Sequence, residues 1–349
     1  MGVKPPKVKR QLGMVFDMNK CLGCQTCTIA CKTLWTDQEG MEYMYWNIVS
    51  TMPGAGTPKG WQEMGGGFTG VQGDPRPSRV PKVREFGQAW KFNHEDVFYN
   101  GNGMNARLQP TTGDDNWGPL WDEDTASGDY PNSYFFYLQM ICMHCTNPAC
   151  LAACPRQAIY KRVDDGIVLI DQERCHGYRF CMEACPYKRI YFNHSLKVTQ
   201  KCILCYPRVE QRVAPACFRQ CPGRVRFIGF LDDEHSAVFK LVKKWKVALR
   251  LHPEFGTEPN VYYVPPLSPP QYDRDGNLIE GSERIPREYL EELFGPDVHR
   301  VLDALKAELQ KVRQGGKSEI LDTLIAYEWK GMFGGLSRDP GTLRRPVPS

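Results

Sequence analysis

Fifteen cysteines carry most of the chemistry open to this chain, because closely spaced thiolates are strong metal ligands. They fall into four runs, and no cysteine lies outside a run. The runs are, in chain order, Cys21, Cys24, Cys27 and Cys31; Cys142, Cys145, Cys150 and Cys154; Cys175, Cys181 and Cys185; and Cys202, Cys205, Cys217 and Cys221. Runs two, three and four end in Cys-Pro, where the proline ends the helix that carries the last ligand.

The spacing of run one is that of bacterial ferredoxins, in which three thiolates bind one iron–sulfur cluster and the fourth binds a neighbouring cluster. A structural zinc site uses two Cys-x-x-Cys pairs separated by a longer stretch, so four cysteines within eleven positions are too crowded for it. An odd number of cysteines and the expected lack of a secretory signal disfavour disulfides. The runs therefore predict iron–sulfur clusters.

Run three lacks its second cysteine, because Tyr178 stands where the ferredoxin pattern places it. With three thiolates, the natural occupant is a [3Fe-4S] cluster. The alternative is a [4Fe-4S] cluster whose fourth iron is bound by water or by another residue.

The ligand exchange of two-cluster ferredoxins sorts the cysteines into four groups. Group A is Cys21, Cys24, Cys27 and Cys221; group B is Cys31, Cys202, Cys205 and Cys217; group C is Cys142, Cys145, Cys150 and Cys185; and group D is Cys154, Cys175 and Cys181, with Tyr178 at the vacant position. We expect groups A, B and C to bind one [4Fe-4S] cluster each and group D to bind one [3Fe-4S] cluster.

Composition narrows the class of protein. A net charge of +4 over 349 residues gives no support for nucleic-acid binding. No apolar stretch approaches the roughly 18 residues of a membrane-spanning helix. The basic N-terminus has neither an apolar signal core nor a twin arginine, and cluster assembly needs reduced thiols, so we expect folding in the cytoplasm.

Short apolar strands flank the runs, which predicts an α+β fold of two ferredoxin-like modules related by duplication. The expected strands are 14–17, 158–160, 167–171, 190–192 and 226–230. The expected domains are 1–37 and 198–232 as the two halves of the first module, 131–197 as the second module, 38–130 as a loop-rich insertion, and 233–349 as a helical and extended C-terminal region that binds a partner.

The insertion and the C-terminal region are less regular. The insertion carries Gly65–Gly67 and tryptophans, which suit either a loop-rich cover or a docking surface; the tryptophans are Trp46, Trp61, Trp90, Trp117 and Trp121. Apolar residues at helical spacing predict a helix after the acidic 232–234, from Val238 to Leu249, and a second helix over 297–313. The tail from Gly331 is not expected to fold alone.

Several residues beside the cysteines have two interpretations. Six basic side chains would raise the reduction potential of a nearby cluster, or would be ordinary surface charges. They are Lys20, Lys32, Arg174, Arg179, Lys201 and Arg208. His144 and His176 adjoin ligand cysteines and are interpreted as packing residues, with histidine ligation as the alternative.

Taken together, the runs resemble those of the iron–sulfur β subunits of the DMSO reductase superfamily. The resemblance rests on the four runs, on Tyr178, and on the long gap between Cys205 and Cys217, and it covers about residues 10–265. Segments 20–27, 135–138 and 251–261 are similar to the type II branch, which includes ethylbenzene dehydrogenase and the perchlorate, chlorate, selenate and dimethylsulfide enzymes. Nitrate reductase β subunits share the plan but are longer. Tyr178 favours an ethylbenzene dehydrogenase-like over a perchlorate reductase-like subunit.

This resemblance implies an electron-transfer subunit between a molybdenum (bis-MGD) catalytic α subunit and a haem b γ subunit or other carrier. Groups A and B would lie nearer the molybdenum subunit, and groups C and D nearer the haem. We expect an anaerobic hydrocarbon dehydrogenase, with an oxidoanion reductase or a free-standing polyferredoxin as alternatives.

The resemblance also implies export to the periplasm on the α subunit's twin-arginine signal, with the cytoplasm or the cytoplasmic face of the membrane as the alternative. The sequence shows no general base, nucleophile or substrate pocket, so we expect no catalytic residue in this chain.

Overall fold

A computed structural model describes residues 4–53, 127–128 and 131–343. The strands are β1 (Leu12–Asp17), β2 (Ile48–Met52), β3 (Phe136–Met140), β4 (Ile159–Lys161), β5 (Val168–Ile170), β6 (Ile190–Asn193), β7 (Val198–Lys201), β8 (Arg226–Phe230), β9 (Leu249–Arg250), β10 (Val261–Val264), β11 (Gln271–Tyr272) and β12 (Leu278–Ile279). The helices are α1 (Thr26–Trp35), α2 (Ala149–Ala152), α3 (Phe180–Ala184), α4 (Tyr206–Val209), α5 (Ala216–Arg219), α6 (Ala237–Phe239), α7 (Arg287–Phe294), α8 (Asp297–Arg313), α9 (Glu319–Ile325) and α10 (Trp329–Phe333).

A four-stranded sheet in the order β8-β1-β10-β9 forms the centre of the fold. Strand β1 is antiparallel to β8 and parallel to β10, so that Met14 lies between Ile228 and Val261. All six residues of β1 are buried, as expected for a strand covered on both faces. Gly13 faces Gly229 across the strands, and a Cβ at Gly13 would lie 2.8 Å from the side chain of Leu231, which explains the glycine.

The fold also has four two-stranded antiparallel sheets in the described residues: β2–β3, β4–β5, β6–β7 and β11–β12. The mixed α+β architecture is confirmed, and the strands expected at 14–17, 158–160, 167–171, 190–192 and 226–230 are found within one or two residues. In the described ranges, no helix combines the length and the apolar character needed to cross a bilayer.

The C-terminal helices confirm one prediction and correct two. Helix α8 spans the expected residues 297–313. The helix expected from Val238 to Leu249 is found only as far as Lys244, because a π turn at Lys240–Lys244 and the left-handed φ of Lys246 (+54°) end it, and Leu249 enters a strand. Its acidic start is also wrong, since the Ser236 hydroxyl accepts the cap hydrogen bond from the Phe239 amide over 3.0 Å.

The tail is more ordered than the sequence suggested. Met332, Phe333 and Leu336 are buried, and Ser337 pairs with Val213. The tail from Gly331 was not expected to fold alone, and its apolar side chains in fact pack against the sheet and α6 of the same chain.

The insertion is described only at its edges. Residues 48–52 form β2, and Trp46 is buried beside it. Gly65–Gly67 and the other four tryptophans of the insertion, which are Trp61, Trp90, Trp117 and Trp121, lie outside the described residues.

Candidate iron–sulfur sites

Four short helices carry the cysteines from one group to the next. Helix α1 holds Cys27 of group A and Cys31 of group B, which are four residues and therefore about one turn apart. Helix α5 holds Cys217 of group B and leads to Cys221 of group A, and it packs against α1. Helices α2 and α3 pack together and relate groups C and D in the same way. Each of these helices therefore places one cysteine beside each of two neighbouring groups, as the expected exchange of ligands requires.

Group A surrounds a small pocket that is open to solvent. All four of its cysteines line this cavity, together with Lys20, Gln139 and Arg226. Cys24 is exposed, and its sulfur lies 3.4 Å from the Thr26 hydroxyl, a contact that lowers the pKa of the thiol. Cys27 is buried and accepts a hydrogen bond from Nη2 of Arg226 over 3.1 Å. The sulfurs that line this pocket are therefore in contact with polar groups of the chain, Arg226 at Cys27 and Thr26 at Cys24.

All four cysteines of group B are buried. Burial raises the pKa of Cys31 well above its ordinary value, and the nearby thiols of Cys217, Cys202 and Cys205 raise it further. Nε1 of Trp35 donates to the Cys205 sulfur over 3.0 Å, and the amide of Leu204 donates to the Cys202 sulfur over 3.4 Å. Four thiols without water around them need a positively charged occupant to become thiolates.

Group C is brought together by run two and the end of run three. Burial raises the pKa of Cys145 to about 12, and the neighbouring thiols of Cys142 and Cys185 add to this effect. Nζ of Lys161 donates to the carbonyl of Cys145 over 2.9 Å and is itself buried, which lowers its pKa to about 8. Cys150 is buried beside the same thiols.

Group D lines a second small pocket that is open to solvent, and Tyr178 also borders it. Burial raises the pKa of Cys181 to about 11, and the thiols of Cys175 and Cys154 add to this effect. The amide of Thr199 donates to the Cys175 sulfur over 3.4 Å. The ring of Tyr178 is 56% exposed and stacks between His176 and Phe180, with centroids 6.2 and 6.5 Å away. Three thiols and an outward-lying phenol therefore meet at this site.

The four groups form a series. Groups A and B share α1 and α5. Burial and the nearby thiol of Cys142 in group C together raise the pKa of Cys202 in group B to about 12. Groups B and C are therefore neighbours. Groups C and D share α2 and α3. The order along the molecule is A, B, C and D.

The donor set fits iron–sulfur clusters. In the described part of the chain, no three His, Cys, Asp or Glu side chains are arranged to hold a single metal ion. Thiols that line one cavity without converging on one point suit a cluster in which each thiolate binds a different iron. Amide, indole and guanidinium groups donate to several sulfurs, which stabilises negative charge on them. The residues present therefore fit the expected occupants.

The two histidines next to ligand cysteines, His144 and His176, make contacts with groups other than the cysteine sulfurs. Nδ1 of His144 accepts a hydrogen bond from the Val168 amide over 3.1 Å, and burial holds its pKa well below the ordinary value. His176 stacks on Tyr178. These contacts support the interpretation of both residues as packing residues.

Four of the six basic residues singled out from the sequence donate hydrogen bonds to backbone carbonyls, and the other two, Arg174 and Arg179, are placed differently. Nζ of Lys201 is buried and donates to carbonyls of Val168 and Cys202, and Nζ of Lys32 donates to the Met41 carbonyl over 2.6 Å. Lys20 and Arg208 likewise donate to backbone carbonyls, whereas Arg174 is exposed. Arg179 lies over the ring of Phe192 at 4.8 Å.

Sequence reasoning missed three polar residues beside the thiols: Trp35, Lys161 and Arg226. Arg226 had a detectable signal, since it is a lone charge in the otherwise apolar strand 225–230. Its contact with Cys27 depends on the packing of β8 beside β1 and α1, which spacing alone does not specify.

Comparison with known proteins gives two findings. Residues 133–231 match the family model described as a 4Fe-4S dicluster domain. The chain is 55% identical to the respiratory nitrate reductase subunit beta of Haloferax mediterranei over 91% of each chain. It is 52% identical to the dimethylsulfide dehydrogenase subunit beta of Rhodovulum sulfidophilum and 51% identical to the selenate reductase subunit beta of Thauera selenatis, each over 93% of this chain and 99% of the relative.

Proposed function

Because the chain belongs to the iron–sulfur β subunits of the DMSO reductase superfamily, type II branch, we propose that it transfers electrons between a molybdenum catalytic α subunit and a second electron carrier. The observation that carries this function is the series of four cysteine groups, in which each group adjoins the next. A series of adjacent sites provides a path across the subunit, whereas a single site would not.

The proposed occupants are [4Fe-4S] clusters in groups A, B and C and a [3Fe-4S] cluster in group D. Bound clusters of these types supply one-electron oxidation and reduction. The dicluster family model over residues 133–231 covers runs two, three and four and supports cluster binding by these runs. The assignment of groups C and D to one ferredoxin-like module, residues 131–197, belongs to the proposal. A duplicated first module, built from 1–37 and 198–232, is part of the same proposal, as are the insertion at 38–130 and the partner-binding region at 233–349.

The side chains around the groups do three things in this account. Buried residues such as Phe16, Phe218 and Leu204 exclude water from the thiols. Hydrogen bonds from Trp35 and Arg226 orient sulfurs and stabilise their negative charge. Lys161 and Lys201 donate to the carbonyls of the ligand residues Cys145 and Cys202 and hold those loops in place, whereas Lys32 holds the segment after α1 through the Met41 carbonyl.

For the complex in which the chain works, we propose an oxidoanion reductase. The similar proteins are subunits of nitrate and selenate reductases, and chlorate and perchlorate reductase subunits match at 50% and 47% identity. These relatives favour the oxidoanion reductase over the ethylbenzene dehydrogenase expected from Tyr178. The dimethylsulfide dehydrogenase relative keeps a dehydrogenase as the second candidate.

The partners follow from this class of complex. We propose a molybdenum α subunit beside groups A and B, a haem b γ subunit beside group D, and co-export of the assembled complex to the periplasm. A free-standing polyferredoxin is the contrasting function.

Purification of the tagged chain from its native cell under anaerobic conditions tests the function. We expect a molybdenum-containing protein to co-purify in stoichiometric amount, and the complex to oxidise a reduced viologen dye with nitrate, selenate, chlorate or perchlorate. A chain that elutes alone and carries iron would support the polyferredoxin instead. A complex that reduces none of these anions but oxidises an alkylbenzene or dimethylsulfide would overturn the oxidoanion assignment.

A further inference from the structure

Arg226 is a fully buried cation at the boundary of groups A and B. Its residue exposure is 0%, and it lines the cavity of group A together with all four cysteines of that group. Its guanidinium carbon lies 5.8 Å from the ring centre of Phe218, the residue after Cys217 of group B. The two groups thus share one positive side chain.

The guanidinium is held in a fixed position. Nη1 donates to Oδ1 of Asn47 over 2.7 Å, and Nη2 donates to the Cys27 sulfur over 3.1 Å. Its carbon lies 4.6 Å from the ring centre of Phe16, so an aromatic face covers it. Fixed dipoles and rings therefore prevent the charge from moving away from the thiols.

No carboxylate offsets this charge in the part of the chain that the structure describes, because Arg226 forms no ion pair there. An arginine side chain keeps its proton at every pH that a protein tolerates. Burying a cation without a carboxylate is costly, and an apolar residue of similar size would often be at least as stable. The charge is therefore better explained by what it does to the sulfur sites than by a role in folding.

We propose that Arg226 sets the reduction potentials of the clusters in groups A and B, raising both through one fixed positive charge. The proposal rests on the proposed function. Reduction adds one electron to a cluster and involves no proton or ligand exchange, so the reduced form carries one more negative charge. A permanent cation nearby stabilises that form more than the oxidised form, because Coulomb interaction scales with charge and is only weakly screened in a buried site.

Three variants of the intact complex separate charge from shape. Arg226→Gln removes the charge but retains an amide donor, and Arg226→Lys retains the charge. Asn47→Asp leaves Arg226 in place and introduces a carboxylate at the atom that accepts its Nη1 hydrogen bond. The readout is a titration with dithionite and ferricyanide followed by electron paramagnetic resonance, with iron content measured in parallel.

We expect two of the four midpoint potentials to fall in Arg226→Gln by at least about 59 mV, which is a tenfold change in a one-electron equilibrium constant. The same two should fall in Asn47→Asp, and both should stay near the wild-type values in Arg226→Lys. If Arg226→Gln does not retain its iron, Asn47→Asp alone decides the question.

Unchanged potentials in an iron-replete Asn47→Asp complex would overturn the role of Arg226 and leave the proposed function intact. Equal falls in Arg226→Gln and Arg226→Lys would also overturn it, because they would show that shape rather than charge matters. A wild-type complex without iron would instead overturn the proposed function. The two failures are therefore distinguishable.

Discussion

The indole nitrogen of Trp35 donates a hydrogen bond to the sulfur of Cys205 over 3.0 Å, although the two residues are 170 positions apart. Trp35 ends α1, the helix that carries Cys27 and Cys31. One contact therefore joins the helix of run one to the ligand loop of run four. It also places a neutral donor on a sulfur of group B, which is buried throughout.

Loss of the Trp35 hydrogen bond should lower one potential only. A donor to sulfur stabilises the more negative, reduced cluster, so Trp35→Phe should lower the potential of group B by ~30–60 mV, roughly a threefold to tenfold change in the equilibrium constant. Redox titration by electron paramagnetic resonance measures it. Trp245→Phe is the matched control, since Trp245 lies at the end of the π turn and no ligand cysteine accepts a hydrogen bond from it in the described residues. A shift of equal size in the control would argue against a specific contact.

The proposed three-iron cluster in group D depends on Tyr178 standing where a fourth cysteine would be. Tyr178→Cys adds a fourth thiol at the border of that cavity, so we expect the oxidised-state signal of a three-iron cluster to disappear and the iron content to rise by about one per chain. Tyr178→Ser adds no thiolate and should keep the three-iron signal. Loss of that signal in the serine variant as well would show that the tyrosine ring, rather than the missing thiolate, determines the cluster.

Removal of iron should loosen the regions around the cysteines before the C-terminal helices. Burial raises the thiol pKa in groups B and C, so the emptied sites would leave clustered neutral thiols with no occupant. Hydrogen exchange after chelation should show the greatest loss of protection in β1, β8 and the ligand loops. Helix α8 packs through Val298, Val301 and Leu302 onto α7 and should lose least. Uniform protection before and after chelation would contradict this.

Glu283 should stabilise the contact between α7 and α8 through its charge. Its carboxylate accepts hydrogen bonds from Arg287 over 2.8 and 2.9 Å and from Lys306; although burial opposes ionisation, these bonds hold its pKa below the ordinary value. Glu283→Gln should therefore speed up hydrogen exchange of the α7 and α8 backbone amides by about fivefold at neutral pH, which corresponds to a loss of ~1 kcal/mol in local stability.

The pH dependence of this effect has a definite sign. A carboxylate with a depressed folded-state pKa contributes stability above its unfolded pKa of about 4.3 and loses it as pH falls through the folded value. The difference between Glu283→Gln and wild type should be constant from about pH 5 to 8. Glu308→Gln is the control, because its contact with Lys311 is 3.7 Å long. A difference that varies within that range would contradict the assignment.

Local patterns predicted much of the fold. Strand 226–230 and helix 297–313 were predicted with the bounds found, because the apolar residues of each segment follow a single pattern from end to end. The segment after Asp232 was not, since Val238, Leu241 and Leu249 are buried from three different elements whose spacing only resembles one helix.

The four cysteine runs could be read from the sequence because the spacing of ligands within a run is a local property. The polar residues that surround them could not. Arg226 reaches Cys27 across 199 positions, and Trp35 reaches Cys205 across 170. Both contacts depend on how β1, β8, α1 and α5 pack, which is settled only by the whole core.

Quantitative iron analysis together with a redox titration of the purified native complex tests the central claim most directly. Three [4Fe-4S] clusters and one [3Fe-4S] cluster predict about 15 iron atoms and four one-electron centres in this subunit, counted after the iron and the haem of the partner subunits are subtracted, with one of the four paramagnetic when oxidised. Iron content near zero, or a complex in which reduction produces no paramagnetic centre assigned to this subunit, would contradict the account.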